Sequence, residues 1–298
     1  MATSKSVASD NLFISGCKLR GGSLNSRPGP SVVARKKLCR NSTRSNDHVG
    51  LFTTRVSDAA YVLKWVAGTD AGDAHGTHIE PGMPRTAGRR IGVLSRQVGG
   101  AIDSAQQQAL DQLAARLADA GAELVEVELP SEIPGGIAYA LTLMAVEAAM
   151  IHGDLVDRTP GRVSQAMIAL VEQGRSIPAP DYARIRAQQV QMAQRFNEWL
   201  TGTVALDALL VAPATGEAPR GLDYTGDASF CAPWTFLGVP AVTVPVGFGP
   251  SGLPLGVQLV GAVHGDQALL ALADWVEQHT GWPAARAARL REMVRGRI

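Results

Sequence analysis

Cys231, in "SFCAPW", is the thiol whose neighbourhood first suggests chemistry. Paired with His152 or His264 it would form a Cys/His couple able to attack a carbonyl. A single cysteine in an apolar helical run more simply reads as packing. His75 and His78 stand near Asp70 and Asp73 in "TDAGDAHGTHIEPGMP", donors of the metal-binding kind. That stretch is a polar Gly/Pro loop, and its histidines read as solvated. Gly99 and Gly100 fall between an apolar run and a helical one, where a phosphate loop would sit. The junction has neither G-x-G-x-x-G nor G-K-[ST]. Nor does the chain carry a G-x-S-x-G elbow or an H-E-x-x-H pair. The three cysteines, Cys17, Cys39 and Cys231, include no C-x-x-C. No C-x-x-C or His-rich spacing supports a metal site. The sparse, odd count fits a reducing compartment and thus a cytoplasmic location.

The elements that would position such groups follow from hydrophobic period. "VSDAAYVLKWVAG" (Val56 to Gly68) predicts a helix with Ala59, Val62, Leu63 and Val66 on one face and a Ser57–Asp58 cap. "RRIGVLS", a helix from Ser104 to Ala120 striped by Leu110, Leu113 and Leu117, and "AELVEVELP" form a β–α–β unit with parallel strands. Gly121 is its C′ residue. Residues 134–203 are helical in pattern, with His152 at the end of an apolar helix and Pro178 and Pro180 between the last two helices. "LDALLVAPA" is a buried strand, and Asp227 or Ser229 caps the helix after it. "AVTVPVGF" and "LPLGVQLVG" flank "GPSG" as a β-hairpin, with Pro245 and Pro254 at strand ends, edges or bulges. A final amphipathic helix is capped by Asp266, and a basic, solvated tail follows. The order predicts an α/β fold, a mixed β-sheet covered by helices on both sides.

Composition bounds the rest. The apolar fraction of 46% is that of a globular chain, and a formal charge of +1 gives no electrostatic case for nucleic acid. No apolar run reaches the roughly 20 residues of a membrane span. Charge divides the chain unevenly. Residues 1–45 carry nine Lys/Arg against one Asp, and nine of the chain's seventeen serines. The rest carries 19 basic and 26 acidic residues. Residues 1–44 are therefore set apart from 45–298. The head reads as a transit peptide, as a disordered tail, or as a frame-shifted remnant of a folded domain.

From residue 45 onward the segments resemble the amidase signature family. The resemblance rests on "DALLVAPA", on "DASFCAPWTFLGVPAVTVPVGFGPSGLPLGVQLVG", on "SNDHVGLFTTRVSDAAYVLKWVAG" and on the β–α–β unit between them. Phe230, Pro233, Gly238, Pro240, Leu253, Pro254, Gly256, Gln258 and Gly261 fall in the family's F-x-x-P-x-x-x-x-G-x-P and G-L-P-x-G-x-Q-x-x-G register.

The resemblance implies hydrolysis of a linear amide by a Ser–cis-Ser–Lys machinery through an acyl-enzyme, with no cofactor. In "SVASDNLFISGCKLRGGSLNSRP" it places Ser23 as nucleophile and Gly21 and Gly22 in the oxyanion loop. Lys18, Leu19 and Arg20 stand where the family has small polar residues, and the same Gly-Gly-Ser also reads as a chance triplet in a disordered head. No Lys or relay Ser is assigned, so the chain is expected to be truncated and weakly active or inactive alone. The resemblance places Asp227, Phe230 and Trp234 in the substrate pocket. Asp227 is one position out of register and reads equally as a helix cap. The implied partner is a small-molecule amide, with no nucleic acid and no membrane. Copies are expected to associate through exposed sheet, as a homodimer for example. The alternatives are the A component of a glutamine-dependent tRNA amidotransferase, which would need a B component, and a non-catalytic α/β binding module built on "RRIGVLSRQVGG".

Overall fold

The computed structural model describes residues 12–15, 45–46, 50–67, 89–221, 223–224, 226–283, 285–287 and 289. Its frame is a seven-stranded sheet. In chain order the strands are β1 (Leu12–Ser15), β2 (Leu51–Thr53), β3 (Arg90–Leu94), β4 (Glu123–Val127), β5 (Ala208–Val211), β6 (Ala241–Phe248) and β7 (Pro254–Val260). The spatial order is β2-β1-β6-β7-β5-β3-β4. β3 runs parallel to β4 and β5, whereas β7, β6, β1 and β2 pair antiparallel, so the sheet is mixed as expected. β1 comes from the basic head: Phe13 lies opposite Thr243 on one side and Phe52 on the other.

Seven α-helices accompany it among the described residues: α1 (Val56–Val66), α2 (Ser104–Asp119), α3 (Gly136–Arg158), α4 (Gln165–Arg175), α5 (Ala179–Glu198), α6 (Ala232–Leu237) and α7 (Asp266–His279). Strand alternation divides them between two cores. Val257 and Leu259 of β7 enter one core, packed with α1, α2 and α7. Val260, with Leu209 and Val211 of β5, enters the other, packed with α3, α5 and α6. Gln258 is 4% exposed, accepts a hydrogen bond from Thr243 Oγ1 at 3.4 Å, and has a buried Nε2 without a partner among the described residues.

The hairpin forms at the expected residues. Gly249 N donates to Leu253 O and Gly252 N to Gly249 O, closing the turn. Pro254 opens β7, and the register shifts between Pro245 and Gly247. β1 pairs only with Ala241–Thr243, so no described strand needs a donor from Pro245 on that side. The α2 stripe of Leu110, Leu113 and Leu117 is fully buried, and Gly121 takes φ +93°, a conformation that favours glycine.

Helix starts differ from expectation. α1 is preceded by Arg55 with no side-chain cap; Asp58 lies in its first turn and accepts from Thr54 Oγ1. Asp266 is the first residue of α7, not its cap. α3 runs on to Arg158, so His152 is inside it. α3 is also long and apolar enough to cross a membrane by length and composition alone. Here it packs against α4, α5 and α6 and carries the buried Glu147, whose oxygens accept from Ser45 N and Tyr182 Oη. Of the described residues of the basic tail, Arg289 packs on the sheet hairpin, 5.6 Å from the Phe248 ring centre.

Candidate functional site

From β3 the chain crosses to β4 on one side and then to β5 on the other. Such a reversal opens a crevice outside the carboxyl ends of the strands, the usual ligand position in open α/β sheets. Loops from three strands are tied together there. Gln97 Oε1 accepts from Ala212 N at 2.9 Å, and Asp103 N donates to Thr215 O at 2.8 Å. Glu217 accepts from Ser251 N and Leu253 N across the hairpin turn.

Two of the sequence-assigned pocket residues sit at this end. Asp227 is exposed and caps the 3-10 turn Ala228–Phe230, accepting from Ser229 N at 2.9 Å. The Ser229 backbone N–H holds the Asp227 carboxyl below its ordinary value. Ser229 Oγ also donates to Gly99 O at 3.1 Å. Phe230 is buried with its ring on Gly99, where an added Cβ would stand 2.5 Å from the ring carbons. That close approach accounts for a glycine at the β3–α2 junction. Trp234 is 3% exposed, packs 6.0 Å from the Phe196 ring, and has a buried Nε1 without a partner among the described residues. Of the three, only Asp227 is exposed, a carboxylate able to accept N–H donors from a polar ligand, while Phe230 and Trp234 are part of the packing beneath the turn.

Ser23, Gly21 and Gly22 lie outside the described residues, as do His75 and His78. The flanks of the Ser23 segment are described. β1 ends at Ser15 opposite Ala241, which is itself opposite Val260. This is the end of the strands where β7 finishes, the opposite end from Asp227 and Phe230. Ser45 helps line a cavity of about 470 Å³ there, between α5, the end of α6 and the loop after β7. Arg186, Asn197 and His264 supply its polar lining, and Phe236, Leu237 and Val263 much of the apolar part. Sequence reasoning missed Arg186 and Asn197. Both are polar positions on an amphipathic helix, and only the packing of α5 against α6 makes them line a hollow.

The other sequence candidates separate. Cys231 precedes α6 and His264 follows β7 at the opposite end of the strands. Cys231 is exposed as a residue, but desolvation around its sulfur raises the thiol pKa, which disfavours the thiolate, and its Sγ donates to Ala228 O. His152 has a buried Nε2 without a partner among the described residues. The α2 N-terminus, where a phosphate would bind, holds the Asp103 carboxylate, which accepts from Gln106 N at 2.7 Å. A negative group already occupies that pole. Among the described residues no group of three His, Cys, Asp or Glu is placed to hold a metal.

Comparison with known proteins adds three findings. A family model described as Amidase matches residues 26–270. The A component of the glutamyl-tRNA(Gln) amidotransferase of Synechococcus sp. (strain CC9311) is 32% identical over 274 residues, covering 78% of this chain and 55% of that protein. Its counterpart in Trichlorobacter lovleyi is 30% identical over 282 residues, covering 82% and 57%. The chain thus spans a little over half the length of these relatives. Among solved structures, 6-aminohexanoate cyclic dimer hydrolase complexed with substrate superposes with a TM-score of 0.70 at 21% identity, over 93% of this chain and 62% of that one. A crystal structure of an amidase gives 0.67 at 24% identity, over 90% and 58%. At these identities the structures establish a shared fold.

Proposed function

The chain belongs to the amidase family, and from that premise we propose that it takes part in cleaving a linear amide, with Ser23 as the nucleophile. The observation that carries amide cleavage is the family match across residues 26–270, which contains the hairpin and the 3-10 turn with Asp227; Ser23 stands just before the matched range and is assigned from the Gly-Gly-Ser resemblance alone. In the proposed reaction Ser23 Oγ adds to the amide carbonyl and the backbone N–H groups of the Gly21–Gly22 loop receive the developing oxyanion. The C–N bond breaks, the amine leaves carrying a proton, and water releases the carboxylic acid from the acyl-serine. Asp227 would accept N–H donors of that substrate; it lies at the other end of the strands from Ser15, a separation that the eight residues from Ser15 to Ser23 can span at about 3.3 Å each.

Of the three groups in such a machinery, only a nucleophile is assigned among these 298 residues. Members of a triad act as a unit, and loss of one costs on the order of 10⁴- to 10⁶-fold in turnover. The isolated chain should therefore be slow. The test is release of aniline from aryl amides and of ammonia from primary amides by the purified chain and by Ser23→Ala. Slow turnover abolished in Ser23→Ala is expected. Turnover unchanged by the substitution would remove Ser23 from the reaction, and none with either protein would show the isolated chain to be inactive.

A second reading, as the A component of a glutamine-dependent tRNA amidotransferase, is favoured by the relatives at 30–32% identity. It requires a B component as partner. Stable co-purification on co-expression with one would support it, and its absence would leave a stand-alone amidase.

A further inference from the structure

We propose that the cavity at the end of β7 is a binding site for a small organic carboxylate with an apolar body. Its volume, about 470 Å³, falls within the usual range of small-molecule pockets. Among the described residues the lining contains an arginine and a histidine and no Asp or Glu.

The arginine is set for an anion. Arg90, Arg158, Arg175, Arg184 and Arg195 each face a carboxylate. Arg186 makes no ion pair among the described residues; its Nη1 donates to Gln189 Oε1 instead. Gln189 is buried and in turn donates from Nε2 to Phe236 O at 2.6 Å. The guanidinium is thus fixed from one side through α6, and among the described residues its other N–H groups have no acceptor, which leaves them for a ligand. A planar, anchored guanidinium is the side chain best matched to two carboxylate oxygens.

Two further lining groups, Asn197 and Ser45, can add donors. Asn197 Oδ1 is taken by Val263 N at 3.0 Å, which leaves the Nδ2 to point a donor at a ligand. Ser45 Oγ is buried without a partner among the described residues. His264 sits at the rim with φ +59°, a strained conformation for a residue with a side chain. Of the nearby carboxylates, Glu147 is engaged by Ser45 N and Tyr182 Oη and Glu198 by Gln194 Nε2, while Asp266 acts on His264, which leaves Arg186 as the cation for the ligand. Phe236 and Leu237 line the cavity as an apolar bed, and Val190, 66% exposed, is at its mouth.

The proposal stands apart from amide cleavage, and its test reads binding rather than turnover. Sodium benzoate is titrated into the full chain by calorimetry, with benzamide as the uncharged isostere. Benzoate should bind at least tenfold more tightly than benzamide, and Arg186→Gln should lose at least tenfold of that affinity. Because Arg186→Gln also removes the bond to Gln189, its melting temperature is measured alongside. Should that variant fail to fold, Val190→Asp, an exposed change that adds a negative charge at the mouth, should weaken benzoate at least fivefold. Equal affinity for benzoate and benzamide would overturn the site. So would wild-type binding in Arg186→Gln or, where that variant fails to fold, in Val190→Asp. No binding at about 10 mM, beyond the range of weak specific sites, would do the same.

Discussion

Glu217 directs its carboxylate at the hairpin turn, receiving N–H bonds from Ser251 and Leu253. Burial raises its pKa, but the N–H bonds from Leu253, Ser251 and Gly252 outweigh that effect, and the carboxyl lies below the ordinary glutamate value of 4.5. A carboxyl that binds its proton less tightly when folded stabilises the fold above its unfolded pKa. The contribution is lost as pH falls through the lower folded value. Glu217→Gln should therefore melt at a lower temperature than wild type at pH 7. The gap should close as the pH is taken down through the acid range below 4.5. A thermal melt series in both proteins checks this, and a gap that stays constant with pH would assign the effect to shape rather than charge. Nothing in the sequence around Glu217 marks it, since its partners are 34 and 36 residues away.

α2 is the element most fully legible beforehand. Its leucines recur on one face, and a glycine follows it with the backbone conformation glycine favours. The helix starts at Ser104 as its pattern predicts, and Asp103 is its cap. Asp103→Ala should cost about 1 kcal/mol, the usual worth of an N-cap carboxylate, measured by urea denaturation. Gly216 lies against that same carboxylate, so close that an added Cβ would overlap it. The cap of one helix thus also shapes the loop after β5. The caps of α1 and α7 differ from expectation because Ser57, Asp58 and Asp266 are good capping residues by type. At both places the chain enters the helix before it reaches them.

For the whole molecule, the sheet edge carries a consequence. β2 is a three-residue terminal strand of the described sheet, with Phe52 45% exposed. On α1, which packs against it, Tyr61 and Trp65 are 63% and 66% exposed and pair edge to face. Apolar edges of this kind promote association between copies. Phe52→Lys should lower the concentration-dependent association of the chain, read by sedimentation velocity. Unchanged association would move the contact elsewhere.

Strand and helix periods, the hairpin with its two prolines, and the mixed, helix-covered sheet were all present in the sequence, because each depends on contacts between near neighbours and on side-chain alternation. The position of Phe230 on Gly99 and the tie of Ser229 to that glycine were decided only by folding, which brings residues 130 apart within 3.1 Å. The cavity had no local signature at all. Its arginine, asparagine and histidine come from α5 and the loop after β7, and their meeting depends on how α5 and α6 lie over the sheet. Periodicity along one helix carries no information about what another helix will bring beside it.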